Sequence, residues 1–257
     1  MDFRFTDSDA EVVPIPAATV VVGRDSSLGL EVLMLRRNSR GAFGGMWVFP
    51  GGRVDPEDAD PNRPMDGLST ARRAAAREAE EEAGISIDPE ALVPFAHWVP
   101  PPQASRRFST WFFLCAAARE GVEVEVDGHE IHDHAWLAPS DALGRQRSGD
   151  IELAPPTWMT LHGLTRERTV ASAMETARSK SPRYFETHIA STGDRVAALW
   201  SGDAGYDDAD LDRPGRRDRL WIAPGAWRYE SSDESFLGDD RGRRTSPDDP
   251  DLTPDVA

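Results

Sequence analysis

The sequence predicts a mixed α/β or α+β fold, in which a β-sheet is packed against helices as a sandwich. Two observations support this class. Short runs rich in β-branched and aromatic residues recur along the chain, as the strands of a buried sheet require. These runs are interleaved with one long alanine-rich helix and one short helix, which we expect to cover the sheet.

The first two strands are predicted at residues 17–22 and 32–35, on either side of a glycine-containing turn. Their β-branched content and short length favour strands over helices. A glycine-rich stretch at 41–45 then leads through an aromatic segment to Gly51 and Gly52. We expect these glycines to form a tight turn and to let the backbone approach a bound group closely.

A polar loop interrupted by prolines occupies residues 55–65, and the long helix follows it. Ser69 or Thr70 is the expected N-cap of this helix, and Gly84 is the expected stop at its C-terminal end. The alanines between these residues supply helix propensity and a narrow apolar face. The sequence therefore predicts one continuous helix between the loop and Gly84.

Further elements are predicted in both halves of the chain. Strands are expected at residues 110–116, 122–126, 135–137, 184–190, 196–200 and 220–222, and helices at residues 140–143 and 157–178. The last residues are acidic, contain proline and have few apolar side chains, which is typical of disorder. The predicted organisation is a main domain of residues 1–155, an extension of residues 156–231 packed on it, and a disordered acidic tail of residues 232–257.

The composition limits the classes of function. The chain has 29 basic and 45 acidic residues, and the net charge of -16 repels nucleic acids and anionic membranes, so neither is an expected partner. A small anionic substrate is still allowed, because a bound divalent metal reverses the local field. Cys115 is the single cysteine, which excludes an intramolecular disulfide. No run approaches about 18 apolar residues and residues 1–13 lack a signal pattern, so we expect a cytoplasmic protein.

Three glutamates of the long helix are expected to form a metal site. Glu78, Glu81 and Glu82 are three or four positions apart and project from one face of the helix. Mg²⁺ or Mn²⁺ would relieve their repulsion, because these ions prefer carboxylate oxygens and keep sites for phosphate and water. Arg77 is expected to hold Glu81 by a charge-assisted hydrogen bond. An exposed acidic helix face is the alternative interpretation.

The whole segment resembles the Nudix box, G-x5-E-x7-R-E-U-x-E-E-x-G-U, in which U is a bulky aliphatic residue. The matching residues are Gly52, Arg77, Glu78, Glu81, Glu82, Gly84 and Ile85. Asp58 stands where the pattern has glutamate, and the adjacent Glu57 is an alternative for that position. Eighteen residues, 59–76, lie between Asp58 and Arg77 where the pattern has seven, which indicates a loop inserted before the helix, and Ala79 replaces the aliphatic residue.

The insertion and its flanking segments resemble one branch of this family, the acyl-coenzyme A diphosphatase-like (Nudix hydrolase 19-like) branch. The similar segments are residues 47–55, 77–85, 98–100 and 107–113. The resemblance implies a Nudix α/β/α sandwich with a mixed sheet, dependence on Mg²⁺ or Mn²⁺, and cleavage of coenzyme A derivatives. Gly41 occupies an arginine position of the coenzyme A signature, with Arg40 next to it, and Ser109 and Trp111 replace an aspartate and an arginine.

Roles follow for residues of the box and for one residue outside it. Glu78, Glu81 and Glu82 are the expected metal ligands, and Glu81, Glu82 and Arg77 belong to the expected catalytic set. A general base or further ligand often lies outside the box. Glu130 is the candidate, with Asp127 and Asp133 as alternatives.

Substrate contacts are expected from arginines and from the glycine pair. Arg36, Arg37, Arg53 and Arg107 are candidate phosphate contacts, although ordinary surface arginines explain them equally well, and Gly51 and Gly52 are candidates for backbone contact. A nearby cluster of His129, His132 and His134 suggests zinc, but no Cys or HExxH partner accompanies it, so a solvated strand end is favoured.

The function predicted from these features is hydrolysis of a nucleoside diphosphate linked to another moiety. Coenzyme A or acyl-coenzyme A, ADP-ribose, dinucleotides and nucleoside triphosphates are the open substrates. The expected partners are this small molecule and, as one option, a second copy of the chain in a homodimer. A non-catalytic Nudix-fold nucleotide sensor is the alternative, which retention of all three glutamates disfavours. An interaction protein acting through the acidic tail is a third hypothesis.

Overall fold

The computed structural model describes residues 13–38, 44–59, 67–104, 106–117, 124–126 and 128–233. Within them the predicted sandwich is confirmed. A large sheet contains the strands β1 (Ile15–Ser26), β2 (Gly29–Arg37), β3 (Trp47–Val48), β4 (Gly51–Arg53), β5 (Val93–Val99), β6 (Phe108–Ala116), β7 (Ile131–Leu137) and β8 (Arg183–Glu186). Their order is β3-β2-β1-β6-β5-β8, with β4 paired to β1 and β7 paired to β2.

This sheet is mixed, and a smaller sheet follows it along the chain. Strand β1 runs parallel to β6 and β5 runs parallel to β8, whereas the other pairs are antiparallel. The smaller sheet is antiparallel, in the order β12-β11-β10-β9. Its strands are β9 (His188–Thr192), β10 (Arg195–Leu199), β11 (Asp218–Trp221) and β12 (Arg228–Ser231).

Helices cover both faces of the large sheet. They are α1 (Leu68–Ala83), α2 (Pro139–Ser148), α3 (Pro155–Leu164) and α4 (Val170–Arg178). The alanines of α1 pack on one face, against alternate residues of β1 and β2 such as Val20 and Leu33. The other three helices pack on the opposite face with residues such as Val21 and Met34. None of the described helices is both long and apolar enough to cross a membrane.

Helix α1 begins two to three residues earlier than predicted and ends where predicted. Its N-cap is Gly67, whose carbonyl accepts the backbone hydrogen bond of Ala71 at 3.0 Å. The prediction of Ser69 or Thr70 is wrong because helical hydrogen bonding has already begun there, and Thr70 is buried. At the other end Gly84 has a left-handed φ of 66°, which a glycine adopts without strain.

The second half contains more elements than the sequence predicts. The single helix expected at 157–178 is two helices, and Thr169 caps the second by accepting a hydrogen bond from the backbone of Ser172. The strand expected at 184–190 is two strands in different sheets, β8 and β9. Residues 124–126 are not in a strand, and residues 122–123 lie outside the described part. Among all the strands of the described residues, β3, β4, β5 and β12 were not predicted.

Strand β8 joins the later part of the chain to the edge of the large sheet. Phe185 of β8 stacks on Trp98 of β5 with ring centroids 3.8 Å apart, and Trp200 meets both rings edge-on. The three side chains belong to one buried cluster together with residues of the earlier strands. The division at residue 155 and the packed extension stay predictions, and residues 234–257 of the expected tail lie outside the description.

Buried ion pairs fasten the smaller sheet. Arg219 of β11 donates to both carboxylate oxygens of Asp203, at 2.7 and 2.5 Å, and both side chains are fully buried. Arg183 of β8 pairs with Asp218 of β11, and the hydroxyl of Tyr229 donates to Asp218 at 2.8 Å. The two buried carboxylates, Asp203 and Asp218, are therefore each paired with an arginine.

Candidate active site

The two glycines of β4 are required by close packing. Strand β4 pairs with β1 so that Gly51 lies opposite Thr19 and Gly52 lies opposite Ala18. A Cβ atom on Gly51 would come within 2.5 Å of the Ala18 carbonyl oxygen and 2.8 Å of the Thr19 Cα atom. A Cβ atom on Gly52 would lie 2.4 Å from Oε1 of Glu78. The close approach expected at these glycines is thus made to β1 and to Glu78.

Glu82 lies beside Glu78 on the side of α1 that faces β4. Its Oε2 atom accepts the Gly51 backbone N–H at 2.9 Å, and its Oε1 atom accepts Nη1 of Arg37 at 3.4 Å. The pKa of Glu82 is raised from 4.5 to a net value of about 8. Burial is the main cause; the contacts with Gly51 and Arg37 lower the pKa, and repulsion from Glu78 raises it. The protein therefore holds Glu82 where a negative charge is costly.

Arg77 is the hub of the carboxylate cluster. It donates from Nε and Nη2 to both oxygens of Asp58, at 3.0 and 2.9 Å, as a bidentate pair. Its Nη1 atom donates to Glu78 at 3.0 Å and to Glu81 at 2.9 Å, and Nη2 also donates to the Arg53 carbonyl at 3.0 Å. The hydrogen bond to Asp58 is the main cause that raises the pKa of Arg77, against the opposing effect of burial.

Asp58, and not Glu57, fills the position where the motif has glutamate. A short 3-10 turn of residues 56–58 directs Asp58 inward, where it is 4% exposed, while Glu57 is exposed. The Asp55 backbone N–H also donates to Asp58 at 2.9 Å. The bidentate pair with Arg77 shows that the shorter aspartate side chain reaches across without a shifted turn.

The three helix glutamates differ in exposure. The side chain of Glu81 is 57% exposed, whereas Glu78 and Glu82 are 14% and 6% exposed. Burial raises the pKa of Glu78, Arg77 lowers it, and Glu81 raises it again. These carboxylates therefore repel one another along one ridge, and Arg77 is shared between Glu78 and Glu81.

The carboxylates of Glu78, Glu81 and Glu82, which we call the carboxylate ridge, are suitable ligands for a divalent cation. In the described part of the chain, no three His, Cys, Asp or Glu side chains converge into a closed ligand set. The carboxylate of Glu81 instead accepts a hydrogen bond from Arg77. Carboxylate oxygens are the ligands that Mg²⁺ and Mn²⁺ prefer, and a cation would offset the repulsion among these carboxylates. The donors fit such an ion once Glu81 turns from Arg77.

Glu130 lies at the edge of this cluster. Its Oε2 atom accepts Nη2 of Arg37 at 2.5 Å, so that Arg37 contacts both Glu130 and Glu82. The alternative base Asp133 is exposed and accepts the backbone N–H of His134 at 2.9 Å. Asp127 lies outside the described residues. Of the described candidates, Glu130 is the one joined to the helix carboxylates through an arginine.

The other three predicted substrate arginines differ in their exposure and contacts. Arg36 is exposed and, by strand alternation, points to the face of β2 opposite Arg37. Arg53 is exposed and contributes its backbone carbonyl to Arg77. Arg107 is 4% exposed, and its Nε atom donates to the Pro100 carbonyl at 3.2 Å. The roles predicted for these side chains stay predictions.

The sequence interpretation missed how the site is tied together. It treated Arg37 as one of several arginines, and it gave no role to Asn38. Alternation along β2 was the available signal, because Leu33 and Leu35 face α1 and Arg37 follows them on the same face. The contact of Arg37 with Glu130 spans 93 positions in the chain, which no local pattern reveals.

Comparison with known proteins identifies similar chains. Residues 14–156 match the family model described as the NUDIX domain. The crystal structure of a NUDIX hydrolase from Alicyclobacillus acidocaldarius is 26% identical, with a TM-score of 0.57, and the match covers 65% of this chain and 97% of that one. Acyl-coenzyme A diphosphatase NUDT19 of Gallus gallus is 32% identical over 75 residues, which is 28% of this chain and 20% of the relative.

Proposed function

Because the NUDIX domain model matches residues 14–156, which is 143 of the 257 residues, the chain belongs to the Nudix family, and we propose that it is a metal-dependent pyrophosphohydrolase. The observation that carries this proposal is the ridge of Glu78, Glu81 and Glu82, with two of the three carboxylates packed on the glycine pair of β4. A non-catalytic nucleotide sensor would not need a complete ridge of this kind.

The proposed substrate is a nucleoside diphosphate linked to another moiety. Coenzyme A or an acyl-coenzyme A is favoured by the similarity to the acyl-coenzyme A diphosphatase of Gallus gallus. That similarity covers 20% of the relative, so ADP-ribose, dinucleotides and nucleoside triphosphates belong in the same test. Each of these compounds contains the phosphoric anhydride that the reaction would cleave.

In the proposed mechanism Glu78, Glu81 and Glu82 would hold Mg²⁺ or Mn²⁺. Such an ion would supply charge neutralisation at the phosphates and lower the pKa of a bound water. The Gly51 amide orients Glu82, and Arg77 orients Glu78 by a hydrogen bond. Glu130 accepts the proton of the attacking water. Positioning and electrostatic stabilisation are the main requirements of such a substitution at phosphorus.

The test is whether the protein keeps its turnover when two carboxylates of the ridge are replaced by neutral amides. The protein is incubated with Mg²⁺ or Mn²⁺ and acyl-coenzyme A, coenzyme A, ADP-ribose, NADH or nucleoside triphosphates, and the products are identified by mass. Replacing Glu81→Gln and Glu82→Gln together should lower kcat by about 10³-fold or more, because several kcal/mol of metal-derived stabilisation is lost.

The matched control is Glu80→Gln, which removes the same charge from an exposed position of the same helix. We expect its turnover to equal that of the unmodified protein. Metal-dependent hydrolysis that persists in the double variant would overturn the proposal.

The domain organisation is proposed on the same basis. Residues 1–155 form the catalytic domain, residues 156–231 form an extension packed on it, and residues 232–257 form a tail. The pairing of β8 with β5 supports the packing of the extension. A cytoplasmic location and a homodimer stay predictions, and sedimentation velocity of the purified protein tests the second.

A further inference from the structure

The end of β2 pairs irregularly with β7. Arg36 is paired with Asp133, whereas the next residue, Arg37, is paired with Ile131, so His132 is an extra residue on β7. Such a bulge reverses the face to which the preceding side chains of that strand point. The histidine cluster therefore contains the residue that produces this change of direction.

The bulge determines what the start of β7 presents to the site. Ile131 is fully buried in the cluster beneath α1, on the same face of the sheet as Arg37. Without the extra residue Ile131 would point to the opposite face. The burial of Ile131 thus anchors β7 where the preceding loop, residues 128–130, reaches the end of β2.

Three hydrogen bonds then hold this loop to β2 and to the residue that follows it. The Asn38 backbone N–H donates to the Glu130 carbonyl at 2.7 Å. The Asn38 side-chain Nδ2 atom donates to the His129 carbonyl at 2.5 Å, and Nη2 of Arg37 donates to the Glu130 carboxylate at 2.5 Å. Gly128, with φ +69°, makes the preceding turn without a side chain.

Arg37 also connects this loop to the ridge. The Arg37 side chain is 22% exposed, and its Nη1 atom contacts the buried carboxylate of Glu82, while Glu130 itself is 64% exposed. An exposed glutamate without such a partner samples several rotamers, and fixing one costs conformational entropy. Because Arg37 already holds the Glu130 side chain on the side of Glu82, part of this conformational entropy is lost before a substrate binds.

We propose that Arg37 and Asn38 are positioning residues, which act through the bulged start of β7 to fix Glu130 beside the helix glutamates. The proposal rests on the proposed function for the role of Glu130. Asn38 holds the loop backbone and Arg37 holds the carboxylate. The contribution of His132 comes from its extra backbone unit in the bulge.

A double-mutant cycle on kcat tests the proposal. Asn38→Ala and Arg37→Met should each lower kcat by about 10- to 100-fold, the usual range for residues that orient a ligand or base. The KM should change by about twofold or less, which is small beside that loss. In a Glu130→Gln background, adding either change should cause no further loss, because the group that it positions is already absent.

Two kinetic outcomes would overturn the proposal. Additive losses in the cycle would mean that Arg37 and Asn38 act independently of Glu130. An increase of KM with unchanged kcat in Arg37→Met would mean that this arginine binds substrate. Arg195→Met, which removes an exposed ion pair of the smaller sheet with Asp212, is the matched control and should leave kcat and KM unchanged.

Amide hydrogen exchange of the metal-free protein gives a readout that does not depend on turnover. Asn38→Ala and Arg37→Met should accelerate exchange in a peptide covering residues 128–137, while peptides from α1 stay at the rate of the unmodified protein. Unchanged exchange at 128–137 in both variants would overturn the positioning role. Absence of turnover in the unmodified protein would instead contradict the proposed function, and the exchange result would still decide the positioning role.

Discussion

Two regions of the molecule bury carboxylates with opposite results. In the smaller sheet Asp203 accepts two hydrogen bonds from Arg219 and others from the backbone of Asp218 and Gly205. Burial raises the pKa of Asp203, but these hydrogen bonds outweigh it and the net pKa is lowered. On α1 the same penalty of burial raises the pKa of Glu82 to about 8.

The difference lies in how arginines are distributed. Each buried acid of the smaller sheet has its own arginine, because Asp203 pairs with Arg219 and Asp218 pairs with Arg183. On the ridge, one guanidinium serves Asp58, Glu78 and Glu81 together. A matched pair stabilises the fold, whereas an excess of negative charge leaves room for a cation. Four experiments test this contrast.

The largest expected effect is on the matched pair. Arg219→Met should lower the free energy of unfolding by about 3–5 kcal/mol, because it leaves Asp203 charged, buried and without its arginine. Chemical denaturation measures the loss. The double variant Arg219→Met with Asp203→Asn should lose less than the single variant, and equal losses would contradict a role for charge matching.

The next effect is expected at Asp58, to which Arg77 donates two hydrogen bonds. Asp58→Asn should lower the free energy of unfolding by about 1.5–3 kcal/mol, the usual value of a hydrogen bond to a charged group. Glu57→Gln is the control, since Glu57 is exposed and should change stability by about 0.5 kcal/mol or less. A greater loss in the control would mean that the neighbouring acid supports the site.

Substitutions of the two glycines of β4 test close packing and metal binding separately. Gly51→Ala should lower the free energy of unfolding by about 1–3 kcal/mol, because its Cβ atom would meet the backbone of β1. Gly52→Ala should cost less, because its Cβ atom meets the movable end of Glu78. It should instead weaken Mn²⁺ binding in calorimetry, and unaltered binding would show that Glu78 is not a ligand.

The fourth experiment measures how stability depends on pH in the metal-free protein. The pKa of Glu82 is raised to about 8 in the folded chain from 4.5, so its stabilising contribution is complete below pH 4.5 and is lost as pH rises through 8. The Glu82→Gln variant has no carboxyl group at this position, so its stability does not fall with pH for this reason. Between pH 5 and 8.5 its Tm should therefore rise relative to the unmodified protein, by roughly 2–4 °C per kcal/mol. Parallel Tm curves would be the contrary result.

The fold and the ridge could be predicted because their signals are local. Spacings of three and four residues place Glu78, Glu81 and Glu82 on one helix face, and Gly84 ends that helix as its conformation requires. Local spacing could not choose between Glu57 and Asp58, since the choice depends on how the 3-10 turn directs its side chains inward or outward.

Other features depend on contacts between distant segments. The bridge from Arg37 to Glu82 spans 45 positions, and its continuation to Glu130 depends on a bulge in β7. Residues 184–190 are predicted as one strand, but Thr187 separates β8 from β9, and its side chain accepts a hydrogen bond from Trp200. Pairing partners, which the local pattern does not contain, decide such cases.

The place of β8 at the edge of the large sheet sets an order of events during synthesis. All the residues of the carboxylate ridge precede residue 131, whereas the strand that pairs with β5 ends at Glu186. A growing polypeptide on the ribosome therefore carries the whole ridge before Phe185 can cover Trp98. Until that moment the face of the Trp98 ring on which Phe185 stacks lacks this partner, so we expect the nascent chain to expose apolar surface at this edge of the sheet.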